Sequence, residues 1–355
     1  MHLRIAVLAL ATVLVAGACS GNEARSLEGA AAQIFAGDCA AGSGNTVTVY
    51  SGRSENLIGP ILEAFSCETG TDVSVRWGSS TDLALLLGEE SDRTAADVFL
   101  SRSPGPVGFL ESKDLLGTVD AEVLALSTAE NRSKSGTWVG FSGRKRVLVH
   151  NLDVAPLADL PRSVFDLTDE RYRDRVAIPA TNGSFLDWFT VFRDQHGTDI
   201  ATQWLDDMVA NGARYYPNNR SIVEAAGRGE IDMGLVNHYY QYQEAAAAGD
   251  RHRAANHSFD DDDIGSLLII TAATITAGSE NSEAANQLIA YLLSEPVQRY
   301  LTTETLEYPL AAGVAPAVVL PPLKALEIGT VDFDLLGGGF EESIAIIEAS
   351  GILNE

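Results

Sequence analysis

From residue 46 onward the apolar positions of the chain switch repeatedly between the two periods that mark strand and helix. The β-branched run Thr46-Val47-Thr48-Val49 predicts a strand over 46–50, and after Ser51-Gly52 the positions Leu57, Ile58, Ile61, Leu62 and Phe65 recur at helical spacing. The same pair of signals returns as a strand over 73–77, a helix through 83–87 capped by Thr81, and a strand over 96–100. Strands alternating with helices of this length predict an α/β fold with a parallel, doubly wound sheet.

Strands at 138–141 and 146–150 lead out of this first unit, and a second α/β set begins with 164–170, 175–178 and a helix from Ser184. In that helix Phe185, Trp188, Phe189 and Phe192 share one face, a stripe that reads as core rather than as a ligand cage. A helix over 200–211, a short one over 221–226 stopped by Gly227, and a strand over 231–236 follow. A β-rich run at 266–274 and an amphipathic helix over 281–303, broken or kinked at Pro296, return to the first unit. Two passages of the chain between units make a two-strand hinge. The expected lobes are 46–145 with 271–320, and 146–270 with 321–355; the roughly 310 residues involved exceed what a single core usually serves.

The N-terminus adds an address. Arg4, an apolar run over 5–15 and Ala16-Gly17-Ala18 before Cys19 form a signal peptide over 1–18. Cys19 is then expected to be the acylated first residue of a lipoprotein, on the outer face of the cytoplasmic membrane in the cell envelope; a plain secretory signal would leave the chain periplasmic. Residues 19–45, rich in Ala, Gly, Ser and Asn, read as a flexible linker. No later stretch reaches the roughly 20 apolar residues of a spanning helix, so the membrane is met only through the lipid. Cys39, just before the first strand, and Cys67, at the end of the following helix, are placed to approach, and a disulfide is expected outside the cytoplasm.

Charge excludes one class of partner. The chain carries 24 basic and 49 acidic residues, a net charge of −25, and loss of Arg4 makes it more negative. Such a surface repels nucleic acid. The acidic run at 260–263 lacks the glycine and distal glutamate of a calcium loop and reads as a solvated loop.

Catalytic signatures are missing: no Gly-x-Ser-x-Gly, Walker, His-Glu-x-x-His or Cys-x-x-Cys pattern occurs. The informative segment is Asn237-His238-Tyr239-Tyr240, directly after a strand, where ligands of open α/β sheets collect. Neighbouring strand residues point to opposite faces, so both phenols reach one point only if the chain turns there. Phenols, with an ordinary pKa of about 10, lose their protons at neutral pH only to a strong cation, and hard oxygen donors suit ferric iron. The plainer alternative is a pair of amphipathic aromatics with one buried face.

The run Val47-Thr48-Val49-Tyr50-Ser51-Gly52-Arg53-Ser54-Glu55, with Ala96-Asp97-Val98-Phe99, Gly143-Arg144, Thr181-Asn182-Gly183-Ser184-Phe185, Tyr216-Pro217-Asn218-Asn219, Asn237-His238-Tyr239-Tyr240 and Glu307-Tyr308-Pro309-Leu310, resembles the ferric-ion-binding receptors of bacterial iron ABC importers. The resemblance implies a class II periplasmic-binding-protein fold and a monomer that serves an importer permease. It also implies Fe(III) held by Tyr239 and Tyr240, and a synergistic anion such as carbonate or phosphate held by Arg144, Asn182, Gly183, Ser184, Asn219 and Asn237. The residues themselves agree in part, because Asn182 to Ser184 opens a helix and helix N-termini attract anions, while Arg144 adds a charge-assisted donor.

Two positions depart from the family's pattern. Where some members carry a histidine and a glutamate, this chain has Ser54 and Arg102. Serine is a poor iron ligand and a cation repels metal, so Arg102 is expected to face an anion or solvent. Glu55 is a further candidate oxygen ligand, with a solvent-facing helix start as the plainer account. The function expected is therefore capture of Fe(III) with an anion for import. The alternatives are a receptor for a phosphonate or other small organic anion, and an enzyme on the same scaffold, for which no nucleophile or base stands out.

Overall fold

The computed structural model describes residues 26–321, 323 and 339–354. The expected signal peptide over 1–18 and the expected lipidation site Cys19 lie outside the described residues. A short helix, α1 (Gly29–Ile34), precedes the alternation β1 (Thr46–Ser51), α2 (Glu55–Thr69), β2 (Asp72–Trp77), α3 (Ser80–Glu90), β3 (Val98–Ser101) and α4 (Pro104–Glu111). After α5 (Ala121–Leu124) come β4 (Trp138–Asn151), β5 (Val176–Ile178), α6 (Gly183–His196), α7 (Thr198–Ala210), β6 (Arg214–Tyr215), α8 (Asn219–Arg228), β7 (Met233–Asn237) and α9 (His238–Ala248). The chain continues through β8 (Ala254–His257), β9 (Leu268–Ile275), α10 (Ser282–Leu292), α11 (Glu295–Tyr300), β10 (Tyr308–Pro309) and α12 (Phe340–Ala349).

The strands lie in the order β2-β1-β3-β9-β4-β7-β5-β6, with β10 and β8 also paired to β4. β1 runs parallel to β2 and β3, and β5 runs parallel to β6 and β7, while β9 and β4 run against their neighbours. β4 is the junction. Its first residues, from Trp138 to Lys145, pair with β9, and its last, from Arg146 to Asn151, pair with β7 and β8. The 138–141 and 146–150 strands expected separately are thus one 14-residue strand, with a register irregularity between Gly140 and Ser142.

Apolar packing follows this division. Val47, Ile58, Phe65, Val98, Phe141 and Leu288 form one buried cluster, in which β1, β3, β4, α2 and α10 meet. Val147, Ile222, Val223 and Val236 form another where α8 covers β4 and β7. The stripe Phe185, Trp188, Phe189 and Phe192 is buried, with Trp204 of α7 edge-on to Trp188 and Phe192.

Local details correct several expectations. The cap of α3 is Ser79, whose Oγ accepts from the Asp82 N–H, rather than Thr81. α8 runs past Gly227 and stops at Gly229, which takes φ +73°, a left-handed conformation that suits a residue without Cβ. The single helix over 281–303 is two, because the chain turns at Leu293 and Ser294 and Pro296 sits in the first turn of α11, where no N–H is needed. Residues 26–45 are not a featureless linker: α1 packs on α2 with Ala31 and Ile34 buried, and a Cys39–Cys67 disulfide fastens the segment behind it. Among the described residues no helix is long and apolar enough to cross a membrane.

Candidate functional site

β7 ends at Asn237 and α9 begins at His238 with no intervening loop, which puts Tyr239 and Tyr240 in the first helical turn. The change from strand to helix replaces opposed side chains by neighbouring ones. The two rings stack with centroids 4.2 Å apart at 29°. His238 fixes this corner: its Nδ1 accepts from the Lys145 N–H at 3.1 Å, so its Nε2 carries the proton and donates to the Leu306 carbonyl at 2.8 Å. Burial pulls its pKa down to about 4, which keeps the ring neutral.

A cavity of about 510 Å³ opens at the tyrosines. Arg53, Ser54 and Arg102 line it from the segments after β1 and β3, Tyr239, Tyr240 and Arg220 from α9 and α8, and Tyr300, Glu304 and Thr305 from α11 and the turn beyond it. Burial and the neighbouring Tyr240 raise the Tyr239 phenol above the ordinary phenol range, against the lowering influence of Arg144 and Arg53. The Tyr239 phenol therefore keeps its proton at neutral pH unless a strong cation takes its place.

Behind the tyrosines lies a group of guanidiniums. Arg144 and Arg146 alternate on β4 and so share one face; both are fully buried. Arg146 Nη1 donates to Asn237 Oδ1 at 3.2 Å, and Asn219 Oδ1 accepts from the Asn237 N–H at 3.1 Å. Asn237 Nδ2 donates to Ser184 Oγ at 3.2 Å, and the Ser184 hydroxyl donates to Asn182 Oδ1 at 2.6 Å. The first turns of α6, α8 and α9 are thereby tied together, and three helix N-termini converge on one place, an arrangement that favours negative charge.

Arg144 differs from Arg146 in having no partner for any of its three guanidinium nitrogens among the described residues. Burial and the nearby Arg53 lower its pKa, and burial with Arg144 pulls Arg146 down to about 9. An unpartnered buried cation is costly, and its natural complement is an anion. Arg53 is already neutralised by Glu307, at 2.5 Å, whose second oxygen accepts from the Ser142 hydroxyl.

The sequence candidates therefore fall into groups. Tyr239, Tyr240, Ser54 and Arg102 line the cavity. Asn182, Ser184, Asn219 and Asn237 are joined through hydrogen bonds, with Gly183 exposed on the same first turn as Ser184. Glu55 is exposed at the start of α2 and does not line the cavity. Sequence reasoning gave no role to Arg53, Arg146, Asp187 or Glu307. For Arg146 no local signal existed, since Arg144 falls between the two predicted strands and only the continuous β4 puts both arginines on one face. Among the described residues no group of three or more His, Cys, Asp or Glu is placed to hold a metal ion.

Comparison with known proteins gives the family and the fold. Residues 93–334 match the family model of the bacterial extracellular solute-binding proteins. The chain is 29% identical over 314 residues to the major ferric iron-binding protein of Neisseria meningitidis, covering 86% of this chain and 93% of that one. It is 26% identical over 316 residues to the Fe(3+)-binding periplasmic protein of Serratia marcescens, covering 88% and 93%. The crystal structure of iron-bound HitA from Pseudomonas aeruginosa superposes with a TM-score of 0.81 at 31% identity, covering 86% of this chain and 99% of that one.

Proposed function

The chain belongs to the bacterial extracellular solute-binding proteins and has the class II periplasmic-binding-protein fold, and on that premise we propose that it captures Fe(III) together with a small anion and presents them to the permease of an ABC importer. Tyr239 and Tyr240 supply two phenolate oxygens to the metal. Arg144, with the turns bearing Asn182, Gly183, Ser184, Asn219 and Asn237, receives the anion, which is carbonate, phosphate or a similar oxyanion. Ser54 and Arg102 add no good metal donor, so the anion and water complete the metal's shell.

One observation carries this reading: a fully buried arginine with three unpartnered nitrogens among the described residues lies close enough to Tyr239 to act on its charge, and Tyr239 and Tyr240 stack on the cavity wall. The cation of Arg144 calls for an anion, and the phenols call for a metal strong enough to displace their protons. The relatives named above are themselves ferric-binding proteins.

The lobes of this account are 46–145 with 271–320, and 146–270 with 321–355. Support comes from β4, which pairs with both parts of the sheet, and from α12, whose Ser343 hydrogen-bonds Thr190 of α6. Residues lining the cavity come from both lobes, so a ligand that touches both favours their closure, and the permease reads the closed form as that of a monomer. Lipid attachment at Cys19 holds the receptor beside that permease.

A second reading, a receptor for a phosphonate or other organic anion, is favoured by Arg102 on the cavity wall together with the buried Arg144, whereas Arg53 and Arg220 are paired with Glu307 and Glu244. Titration of the metal-free protein separates the two. Saturable Fe(III) uptake that depends on carbonate or phosphate supports iron; tight phosphonate binding without metal supports the second reading.

A further inference from the structure

Near Arg144 lies a second buried charged group. Asp187 lies on α6 one turn beyond Ser184, is 2% exposed, and among the described residues has no ion pair and no hydrogen bond of full geometry to either carboxylate oxygen, the Ser103 hydroxyl being a looser neighbour. It faces Arg144 and Arg146 of β4, Arg102 beyond β3, and the hydroxyl of Ser103 at the start of α4. The other elements packed on α6 bring Trp204 and Leu205 from α7 and Leu268 from β9, while α12 places Glu342 against Arg193 further along the helix. Opposite buried charges that form no direct ion pair are complemented when a third polar group comes between them. An anion that enters to meet Arg144 also meets Asp187, and two anionic groups side by side in a buried site do not both stay ionised.

We propose that Asp187 is a further residue of the anion site, taking one proton from solvent as the anion enters and donating a hydrogen bond to it through the carboxyl O–H. The inference rests on the reading of Arg144 as an anion-binding residue. A protonated carboxyl turns a repelling neighbour into a donor. Burial already pulls the Asp187 carboxyl up to about 7, against the lowering influence of Ser103, Arg144, Arg102 and Arg146, so the proton is readily taken near neutrality. Anion affinity then falls by up to about tenfold per unit of pH above that point.

Oxalate is the probe, since its own charge is constant through the neutral range. Calorimetric titration of the metal-free protein at about pH 8, in two buffers of different ionisation enthalpy, counts protons taken up per anion bound. The expected result is an uptake approaching one for the wild type and near zero for Asp187→Asn, with oxalate still bound by the variant. A wild type that takes up no proton, or a variant that takes up as many, overturns the inference. Arg144→Gln separates this failure from failure of the underlying reading. If that variant binds oxalate as the wild type does, or the wild type binds none, the anion site itself is misassigned and the role of Asp187 falls with it.

Discussion

Arg53 Nη2 lies 2.5 Å from Glu307 Oε1, joining two buried side chains that are 254 residues apart in sequence. The pair removes Arg53 from the set of cations that need an outside anion, whereas Arg144 has no hydrogen-bond partner for any guanidinium nitrogen among the described residues.

Glu307→Gln should therefore destabilise the protein by about 3 kcal/mol, because it strands a buried guanidinium; denaturant unfolding measures this. Burial works to raise the Glu307 pKa, but Arg53 and Arg144 together hold it below the ordinary carboxylate value. A depressed native pKa means that the stabilisation is complete above about pH 4.3 and is lost as the pH falls through the native value. The acid limb of the stability profile should consequently flatten in the variant.

Arg144→Met should act in opposite directions on fold and function. Replacing an unpartnered buried cation by a chain of similar volume should stabilise the iron-free protein by about 1–3 kcal/mol. Anion-dependent iron affinity should fall by about tenfold or more. Thermal unfolding without ligand and competitive iron titration read the two effects separately.

Asp187→Asn carries a pH signature in the ligand-free protein. The native carboxyl, raised to about 7, binds a proton more tightly than the unfolded one, so wild-type stability falls between about pH 4 and pH 7 and levels off above. The variant, without that titration, should be more stable than the wild type at about pH 8 by a few kcal/mol and little different at about pH 4. Denaturant midpoints at the two pH values test this.

The Cys39–Cys67 bridge spans a sequence separation of 28, and neither cysteine lines the cavity. Replacing both by serine should lower stability by about 3–4 kcal/mol through the freedom restored to the unfolded chain. Iron affinity should stay within about twofold of the wild type at temperatures where the variant is folded. Unfolding midpoints and iron titrations, compared on the same preparation, check both halves.

Much of the fold is legible in the sequence because local patterns carry it. The alternation of β-branched runs with helical faces identifies the α/β class, and Asn237 to Tyr240 stand out because a polar and aromatic cluster directly follows a strand. What the pattern misses depends on partners distant in sequence. β4 reads as two strands because Ser142 to Lys145 are polar, yet those residues are buried once β9 and β10 pair beside them. Arg146 and Asp187 read as ordinary surface charges, since only the folded chain brings β4, α4 and α6 together. The 26–45 segment looks featureless because α1 is short and owes its place to packing on α2 and to the disulfide. Gly227 and Gly229 are equivalent as sequence signals, and the helix ends at the one that takes the left-handed conformation.

The central claim, that two phenolates take Fe(III) beside a buried anion, is tested most directly by visible absorption during iron titration. Wild-type protein with carbonate or phosphate should develop a phenolate-to-iron charge-transfer band that saturates at about one iron per chain, whereas Tyr239→Phe with Tyr240→Phe should remain colourless and keep its fold by circular dichroism. An equal band in the double variant, or a colourless wild type under saturating ferric salt and anion, would contradict the account.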